Sequence, residues 1–203
     1  MPYLVFLVIF ALWAMYEMRK SSNAYQARKD AFWERERAAN DVRRQDISNL
    51  EYITIPFDSL PFDDAAQPPV STCQDNINKL KDCKIVNLTG MSNTDLKLQY
   101  GAANLENLIE YDSNFTTLCS NLARWGQALY DAGDSVGART IFEFGVSIRA
   151  DVSNIYLTLG KIYLSEDNTD GIYELITQVT ELNTLMKDSI LQQLRELLET
   201  DCM

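Results

Sequence analysis

The sequence contains no histidine, and its cysteines are few and isolated. Without histidine the chain lacks the commonest metal ligand, the usual general base near neutral pH, and any Ser-His or Cys-His nucleophile pair. No C-x-x-C pair occurs, which excludes a zinc ribbon and a dithiol redox motif. We therefore expect no metal, no cofactor and no catalytic residue. The four cysteines are Cys73, Cys83, Cys119 and Cys202.

Two alternatives to a chain with only reduced thiols and no catalytic residue remain open. The cysteines are expected as reduced thiols, but a Cys73–Cys83 disulfide becomes plausible if the domain faces an oxidising compartment. Glu106 and Glu110 form a carboxylate pair, but at a spacing of four residues on a helix they indicate a solvated acidic face rather than an acid–base pair. The chain is therefore not expected to be an enzyme.

Charge is distributed unevenly along the chain. Residues 19–46 carry eight basic and five acidic side chains, a net +3, whereas residues 47–203 carry ten basic and 23 acidic side chains, a net −13. An acidic domain repels phosphate backbones, so nucleic acid is not an expected partner. The basic excess directly follows an apolar segment, where an anionic lipid leaflet would attract it.

The apolar segment covers residues 2–16 and contains no charge. It is short beside the roughly 20 residues that span a bilayer. Trp13 and Tyr16 suit the membrane interface, and Arg19 and Lys20 are placed to reach the headgroups. These features predict a transmembrane anchor.

The predicted anchor covers residues 1–18 and contacts the lipid bilayer through residues 2–18. Basic residues follow the apolar run and none precedes it, so the positive-inside rule predicts an outer N-terminus and a cytoplasmic C-terminal domain. The predicted location is thus the cell membrane, with a single pass. A signal peptide cleaved at Ser22-Asn23-Ala24 and a buried core helix are the alternatives.

A polar stalk helix is predicted over residues 19–47, because neither glycine nor proline interrupts residues 3–55. Small and apolar residues recur in it at heptad spacing, which suggests a coiled-coil seam through which copies of the chain self-associate. A solvated, unpaired stalk explains the same composition. The recurring residues are Ala24, Ala31 and Ala38, and Tyr25, Phe32 and Ala39.

Residues 48–72 contain most of the prolines and predict an extended linker. Residues 50–56 alternate like a short extended segment, and the linker is expected to pack along the following domain. Residues 73–203 have helical periodicity and form the predicted C-terminal domain.

Within this domain a pattern recurs after 34 residues, the distance between Gly126 and Gly160. In each copy the glycine directly follows a large apolar residue, and an aromatic residue comes three or four positions after the glycine. A small or branched residue stands twelve positions after the glycine. The positions with a structural role in this pattern are Trp125, Gly126, Gly133, Ala138, Phe142, Leu159, Gly160 and Tyr163.

These residues resemble the tetratricopeptide repeat, a 34-residue helix–turn–helix unit. The resemblance covers about half of the chain. It is good over residues 119–152 and weaker over 153–186, where Ile172 replaces the small alanine. Leu185 to Leu198 carry one apolar face, as expected for a capping helix. The implied fold is all-α, with an N-terminal transmembrane helix and stalk, a short extended Pro-containing linker, and C-terminal tetratricopeptide-like hairpins with a capping helix.

The resemblance implies a concave surface, lined by the first helix of each pair, that holds a peptide or a protein partner. Two of its cations, Arg124 and Lys161, are candidates to bind a carboxylate or an acidic peptide. Solvated surface charges are the alternative. The residues implied for this surface are Ser120, Arg124, Gln127, Tyr130, Asp131, Asn154, Thr158, Lys161 and Ser165.

A looser resemblance, carried by the run from Asn87 to Gly101, links the chain to bacterial single-pass membrane proteins with a C-terminal tetratricopeptide-like domain. Together these features predict a membrane-anchored scaffold or adaptor that presents a small groove to a protein partner. The alternative is a structural membrane protein that self-associates through its stalk helix.

Overall fold

The described chain is built from helices. This computed structural model describes residues 2–201, and within them lie eight α-helices and one short 3-10 helix, with no β-strand. The prediction of an all-α protein is confirmed. The helices are α1 (Pro2–Asn40), α2 (Val70–Asn78), α3 (Asn93–Tyr100), the 3-10 helix (Ala102–Asn104), α4 (Leu105–Asp131), α5 (Ser135–Ser147), α6 (Ser153–Ser165), α7 (Thr169–Thr180) and α8 (Lys187–Asp201).

Helix α1 corrects the membrane predictions. Among the residues that the structure describes, no helix has the length and apolar character needed to cross a membrane. The expected transmembrane segment and the single-pass cell-membrane location are therefore wrong. The physical reason is length: the apolar run ends at Tyr16, and Glu17, Arg19 and Lys20 follow within the same helix. A span needs about 20 apolar residues. The expected lipid contact through residues 2–18 stays a prediction.

The chain divides into two compact units, one of which takes its described residues from Met1–Ile47 and Ser92–Leu105. In this unit α3 packs on the C-terminal part of α1. Ala39 is buried, and the Glu36 carboxylate accepts hydrogen bonds from the Lys97 ammonium and, at 2.7 Å, from the Thr94 hydroxyl. These two bonds hold the pKa of Glu36 below its usual value.

A buried asparagine closes the connection between α1 and α3. The Asn104 amide donates to the main-chain oxygens of Gln45 and Tyr100, at 2.8 Å each, while its side-chain oxygen accepts from Arg44 at 3.0 Å. Because all of its polar atoms are paired, Asn104 can be fully buried without a large desolvation cost.

The second unit takes its described residues from Ser48–Met91 and Glu106–Met203 and contains the main hydrophobic core. Here α6 packs against α5, α7 and α8. Gly126 lets α4 and α5 approach closely, since a Cβ atom there would lie 2.5 Å from the Phe142 ring. A Cβ atom at Gly160 would likewise lie 2.8 Å from Leu194 of α8. Both glycines therefore serve close helix packing.

The α4–α5 and α6–α7 turns repeat the same hydrogen bonds 34 residues apart. The Asp134 N–H donates to the Leu129 oxygen at 2.9 Å, and the Asn168 N–H donates to the Tyr163 oxygen at 2.9 Å. Each cap side chain then accepts from the main-chain N–H three residues later, at 2.9 Å and 3.0 Å. The two helical hairpins thus have the same turn and the same helix start.

The Pro-containing residues 48–72 pack on this core. Ile55 and Leu60 are buried, and the Phe62 ring lies edge-on to Trp125 of α4, with 4.9 Å between ring centroids. The segment is extended near residue 52, where Tyr52 forms an isolated antiparallel bridge with Val86. Helix α2 begins directly after Pro69 and contacts α4, because the Asn76 amide donates to Asn121 at 3.2 Å.

Candidate functional site

The candidate site is the face formed by α4 and α6, the first helices of the two hairpins. Four of the nine residues predicted for the binding surface meet in one hydrogen-bonded network there. The Gln127 side-chain oxygen accepts from Asn154 at 3.0 Å and from the Thr158 hydroxyl at 3.2 Å. The Gln127 amide nitrogen donates to Asp131 at 2.6 Å. This network joins the two helices and fixes the rotamers of the side chains between them.

A cavity of about 570 Å³ lies beside this network. Its volume is within the range of ligand-binding clefts, which is roughly 300–1,000 Å³. The cavity therefore combines a polar side with a small apolar floor formed by two alanines. Its lining residues are Pro69, Ala123, Arg124, Gln127, Ala128, Asp131 and Asn154.

Arg124 supplies the positive charge at this cavity. Its side chain is exposed, and among the described residues no carboxylate lies within salt-bridge distance of it. The charge of Arg124 also acts on the buried Cys73. Burial raises the pKa of the Cys73 thiol, and the positive charge of Arg124 partly offsets this rise. An exposed guanidinium with free donors can bind a carboxylate through two parallel hydrogen bonds.

The structure does not bring all predicted surface residues to this cavity. Lys161 and Ser120 are exposed on α6 and α4, but neither lines the cavity. Tyr130 is half-buried against the core, and the Ser165 hydroxyl donates to the Ile162 main-chain oxygen at 2.7 Å. Thr158 is buried and so acts through Gln127 rather than at the surface. That Arg124 and Lys161 act together on one concave wall stays a prediction, and only Arg124 of the two lines this cavity.

The positions assigned to the repeat occupy the core or the turns. Trp125, Gly126, Ala138, Phe142, Leu159 and Gly160 are buried, Tyr163 is half-buried and Gly133 is exposed in the α4–α5 turn. Gly133 has a φ of +86°, and Asp167, which follows it by 34 residues, has a φ of +55°. The second turn therefore has the same left-handed conformation, although its sequence lacks the glycine that normally provides it.

The sequence did not single out three residues that line the cavity, Pro69, Ala123 and Ala128. Ala123 and Ala128 lie beside predicted residues on α4, and their small side chains leave the space that forms the floor. Pro69 comes from the predicted linker, and no local pattern indicates that it returns to α4. Its position depends on the packing of α2 against α4, which is a long-range contact.

The chain was compared with protein-family models, with curated proteins and with solved structures, and nothing matches in any of the three comparisons.

Proposed function

We propose that this chain is a protein-binding scaffold or adaptor, rather than an enzyme, and that its α4–α6 face holds a peptide segment of a protein partner. The observation that carries the proposal is the cavity beside the Gln127 network, with the exposed guanidinium of Arg124 at its edge. A polar network that is already satisfied keeps the wall rigid, so that binding costs little side-chain entropy.

We further propose that the α4–α5 and α6–α7 hairpins are tetratricopeptide-like repeats. Three repeated features support this assignment: the turn hydrogen bonds, the side-chain caps at Asp134 and Asn168, and the glycines at 126 and 160. In such a stack the first helix of each pair lines the binding surface. That arrangement corresponds to α4 and α6, the helices that form the cavity.

The chemistry of the site favours a partner segment that places a carboxylate against Arg124. The cavity floor is apolar at Ala123 and Ala128, and the network side offers amide groups for hydrogen bonds to a peptide main chain. Asp131 lies at the other end of the cavity and disfavours a second acidic group there. We therefore expect one carboxylate at a defined position, not a long acidic run.

Selection of random short peptides displayed on phage against the full-length chain tests this proposal. Peptides that bind the native chain should be enriched in one acidic residue, or in a free terminal carboxylate, at a fixed position. Arg124→Gln should weaken binding of a selected peptide by roughly tenfold or more, because a hydrogen-bonded charge pair contributes about 1.5–3 kcal/mol. Fluorescence anisotropy with the labelled peptide measures this change.

Arg195→Gln is the matched control, since Arg195 is also exposed but lies on α8, away from the cavity. It should leave binding unchanged. Equal losses in the two variants would assign the effect to the overall charge of the chain. Unchanged binding in Arg124→Gln, or selected peptides without a conserved acidic position, would refute the proposed site.

Helix α1 favours a second candidate function, self-association through the helix predicted as a stalk. The three alanines of the predicted seam, Ala24, Ala31 and Ala38, are all exposed along the described part of α1. Tyr25 and Phe32 remain 65% and 54% exposed, an unusual state for aromatic side chains on a single helix. Pairing of two copies along this seam would cover these side chains.

A further inference from the structure

The contact between α1 and α3 shows how α1 holds a neighbouring helix. Ala39 is buried in the part of α1 on which α3 packs. Glu36 and Arg35 stand three and four positions before Ala39 and flank it on the helix surface. Both of them pair with α3, since Arg35 contacts Asp95 and Glu36 contacts Lys97. The contact thus combines a covered residue at its centre with an ion pair on each side.

The same spacing recurs one heptad earlier on α1, but there the side chains are exposed. Phe32 stands seven residues before Ala39, and Lys29 and Arg28 stand three and four residues before Phe32. The Phe32 side chain is 54% exposed. Among the described residues, no carboxylate lies within salt-bridge distance of Arg28 or Lys29. Tyr25, which is 65% exposed, stands a further heptad earlier and continues this apolar stripe away from α3.

Helix geometry places the cations beside the stripe and the nearby acidic residues away from it. With 3.6 residues per turn, residues three or four positions from Phe32 lie within about 60° of it, whereas residues two positions away lie about 160° around the helix. Arg28 and Lys29 belong to the first group, and Asp30 and Glu34 belong to the second. The stripe is therefore apolar at its centre and positively charged on both sides.

This charge pattern complements an acidic helix. Lys29 stands where the α3 contact has Glu36, so a helix with the charge pattern of α3 would bring a lysine against a lysine. An occupant of the stripe therefore needs carboxylates on both of its flanks, one against Arg28 and one against Lys29. Apolar side chains between these carboxylates would cover Tyr25 and Phe32.

A second copy of α1 is disfavoured as the occupant by its charge. Residues 19–46 carry a net +3, so two such segments side by side repel each other. Pairing of copies along the neighbouring alanine seam is therefore the competing arrangement, and the experiment below separates it from the binding of a partner helix.

From these contacts we infer that the stripe of Tyr25 and Phe32 binds an acidic amphipathic helix of a protein partner, which packs on α1 directly N-terminal to the α3 contact. The apolar face of the partner helix covers the two rings, and its glutamate or aspartate residues pair with Arg28 and Lys29. This surface shares no residue with the proposed α4–α6 site.

The test uses the full-length chain and a labelled synthetic helix of three heptads, with leucine at the a and d positions and glutamate at the positions that flank them. Fluorescence anisotropy should show saturable binding, and the same helix with lysine in place of glutamate should not bind. A peptide of the same composition in scrambled order has no apolar face and should bind at least roughly tenfold more weakly. No binding of the Leu-Glu helix, or equal affinity for the lysine or scrambled peptide, would overturn the inference.

Variants of α1 test the stripe from the side of this chain. Arg28→Gln should weaken binding of the Leu-Glu helix roughly three- to tenfold, because it removes one ion pair at the edge of the contact. Phe32→Ala should weaken binding about tenfold or more, because it removes the apolar centre. Since Phe32 is exposed, its replacement leaves the core of the chain intact.

Arg37→Gln is the matched control for Arg28→Gln. Both arginines are exposed, and each donates its Nε to the main-chain oxygen four residues earlier, at 3.2 Å for Arg28 and 3.3 Å for Arg37. Arg37 comes five positions after Phe32 and so lies about 140° away around the helix. Arg37→Gln should bind like the native chain. Equal losses in the two arginine variants, or native affinity in both Arg28→Gln and Phe32→Ala, would contradict the inference.

Two further outcomes would assign the peptide or the stripe elsewhere. Dimers that form without any peptide, and that disappear in Phe32→Ala, would assign the stripe to a second copy of this chain and would overturn the inference. Arg124→Gln should not change the affinity for the Leu-Glu helix. Loss of binding in Arg124→Gln, together with native affinity in Arg28→Gln, would place the peptide in the α4–α6 cavity and would also overturn the inference.

Discussion

At the scale of single residues, burial separates the described cysteines into two chemical classes. Cys73 and Cys119 are buried in the core, whereas Cys83 is exposed and its thiol lies 3.5 Å from the Lys79 main-chain oxygen. Burial raises the pKa of the Cys119 thiol to about 12, and nearby Asp151 adds to the rise. All three thiols are free, so the alternative of a Cys73–Cys83 disulfide is not seen. Cys202 lies outside the described residues.

These environments predict a large difference in alkylation rate, because the thiolate is the reactive form. In a Cys202→Ser variant at about pH 8, iodoacetamide should label Cys83 roughly a thousandfold faster than Cys119. Mass spectrometry of the digested chain measures the rates. In guanidinium chloride the three sites should react at similar rates. Labelling of Cys119 as fast as Cys83 in the native chain would show that the core opens readily or that α4 packs differently.

At the scale of helices and turns the sequence was most informative, because close helix packing requires small residues at particular positions. Gly126 faces the Phe142 ring, and the Gly133-Asp134 pair makes the left-handed turn and the cap of α5. The resemblance to the tetratricopeptide repeat implied structural roles for Gly126 and Gly133, whereas the cap at Asp134 was not predicted. The length of α4 was less evident, since the 34-residue pattern begins near residue 119 while α4 starts at Leu105. No glycine or proline interrupts residues 102–125, so the helix continues through that boundary.

Gly126→Ala tests the packing of the first hairpin. The added Cβ would lie 2.5 Å from Phe142, and we expect a loss of about 1–3 kcal/mol in the free energy of unfolding. Replacing Phe142 by leucine in the same chain should recover part of this loss, since the two positions touch. Urea denaturation followed by circular dichroism gives the free energies.

Gly133→Ala is the comparison variant for this pair. No atom lies within 4 Å of a Cβ atom at Gly133, but its φ of +86° strains any residue with a Cβ, at a cost of about 1–2 kcal/mol. Phe142→Leu should not recover that cost. If it rescues Gly133→Ala and Gly126→Ala equally, then Phe142→Leu stabilises the domain generally and the direct contact is not the cause.

At the scale of the whole molecule, contacts distant in sequence were the ones that local patterns did not reveal. The prolines of residues 48–72 predicted an extended segment, but the contact of Phe62 with Trp125 has no local signal. The lining of the α4–α6 cavity could be predicted in part, because the resemblance to the tetratricopeptide repeat implied Arg124, Gln127 and Asp131 for the binding surface. Ser120 lies one turn too early on α4 to reach it. The apolar run at the N-terminus predicted a membrane span by composition, although its length falls short.

The exposed alanine seam of α1 leads to a prediction about self-association. Single cysteines at Ala24, Ala31 and Ala38 should form disulfide-linked dimers of the full-length chain in a Cys83→Ser, Cys202→Ser background. Gln26→Cys, about half a turn away around the helix, should not. Gel electrophoresis without reducing agent measures the dimers. Because residues 19–46 carry a net +3, two such helices side by side repel each other, and added salt should raise the yield of dimer. Equal crosslinking at Gln26, or none at the three alanines, would leave α1 without a role in pairing and would remove the second candidate function.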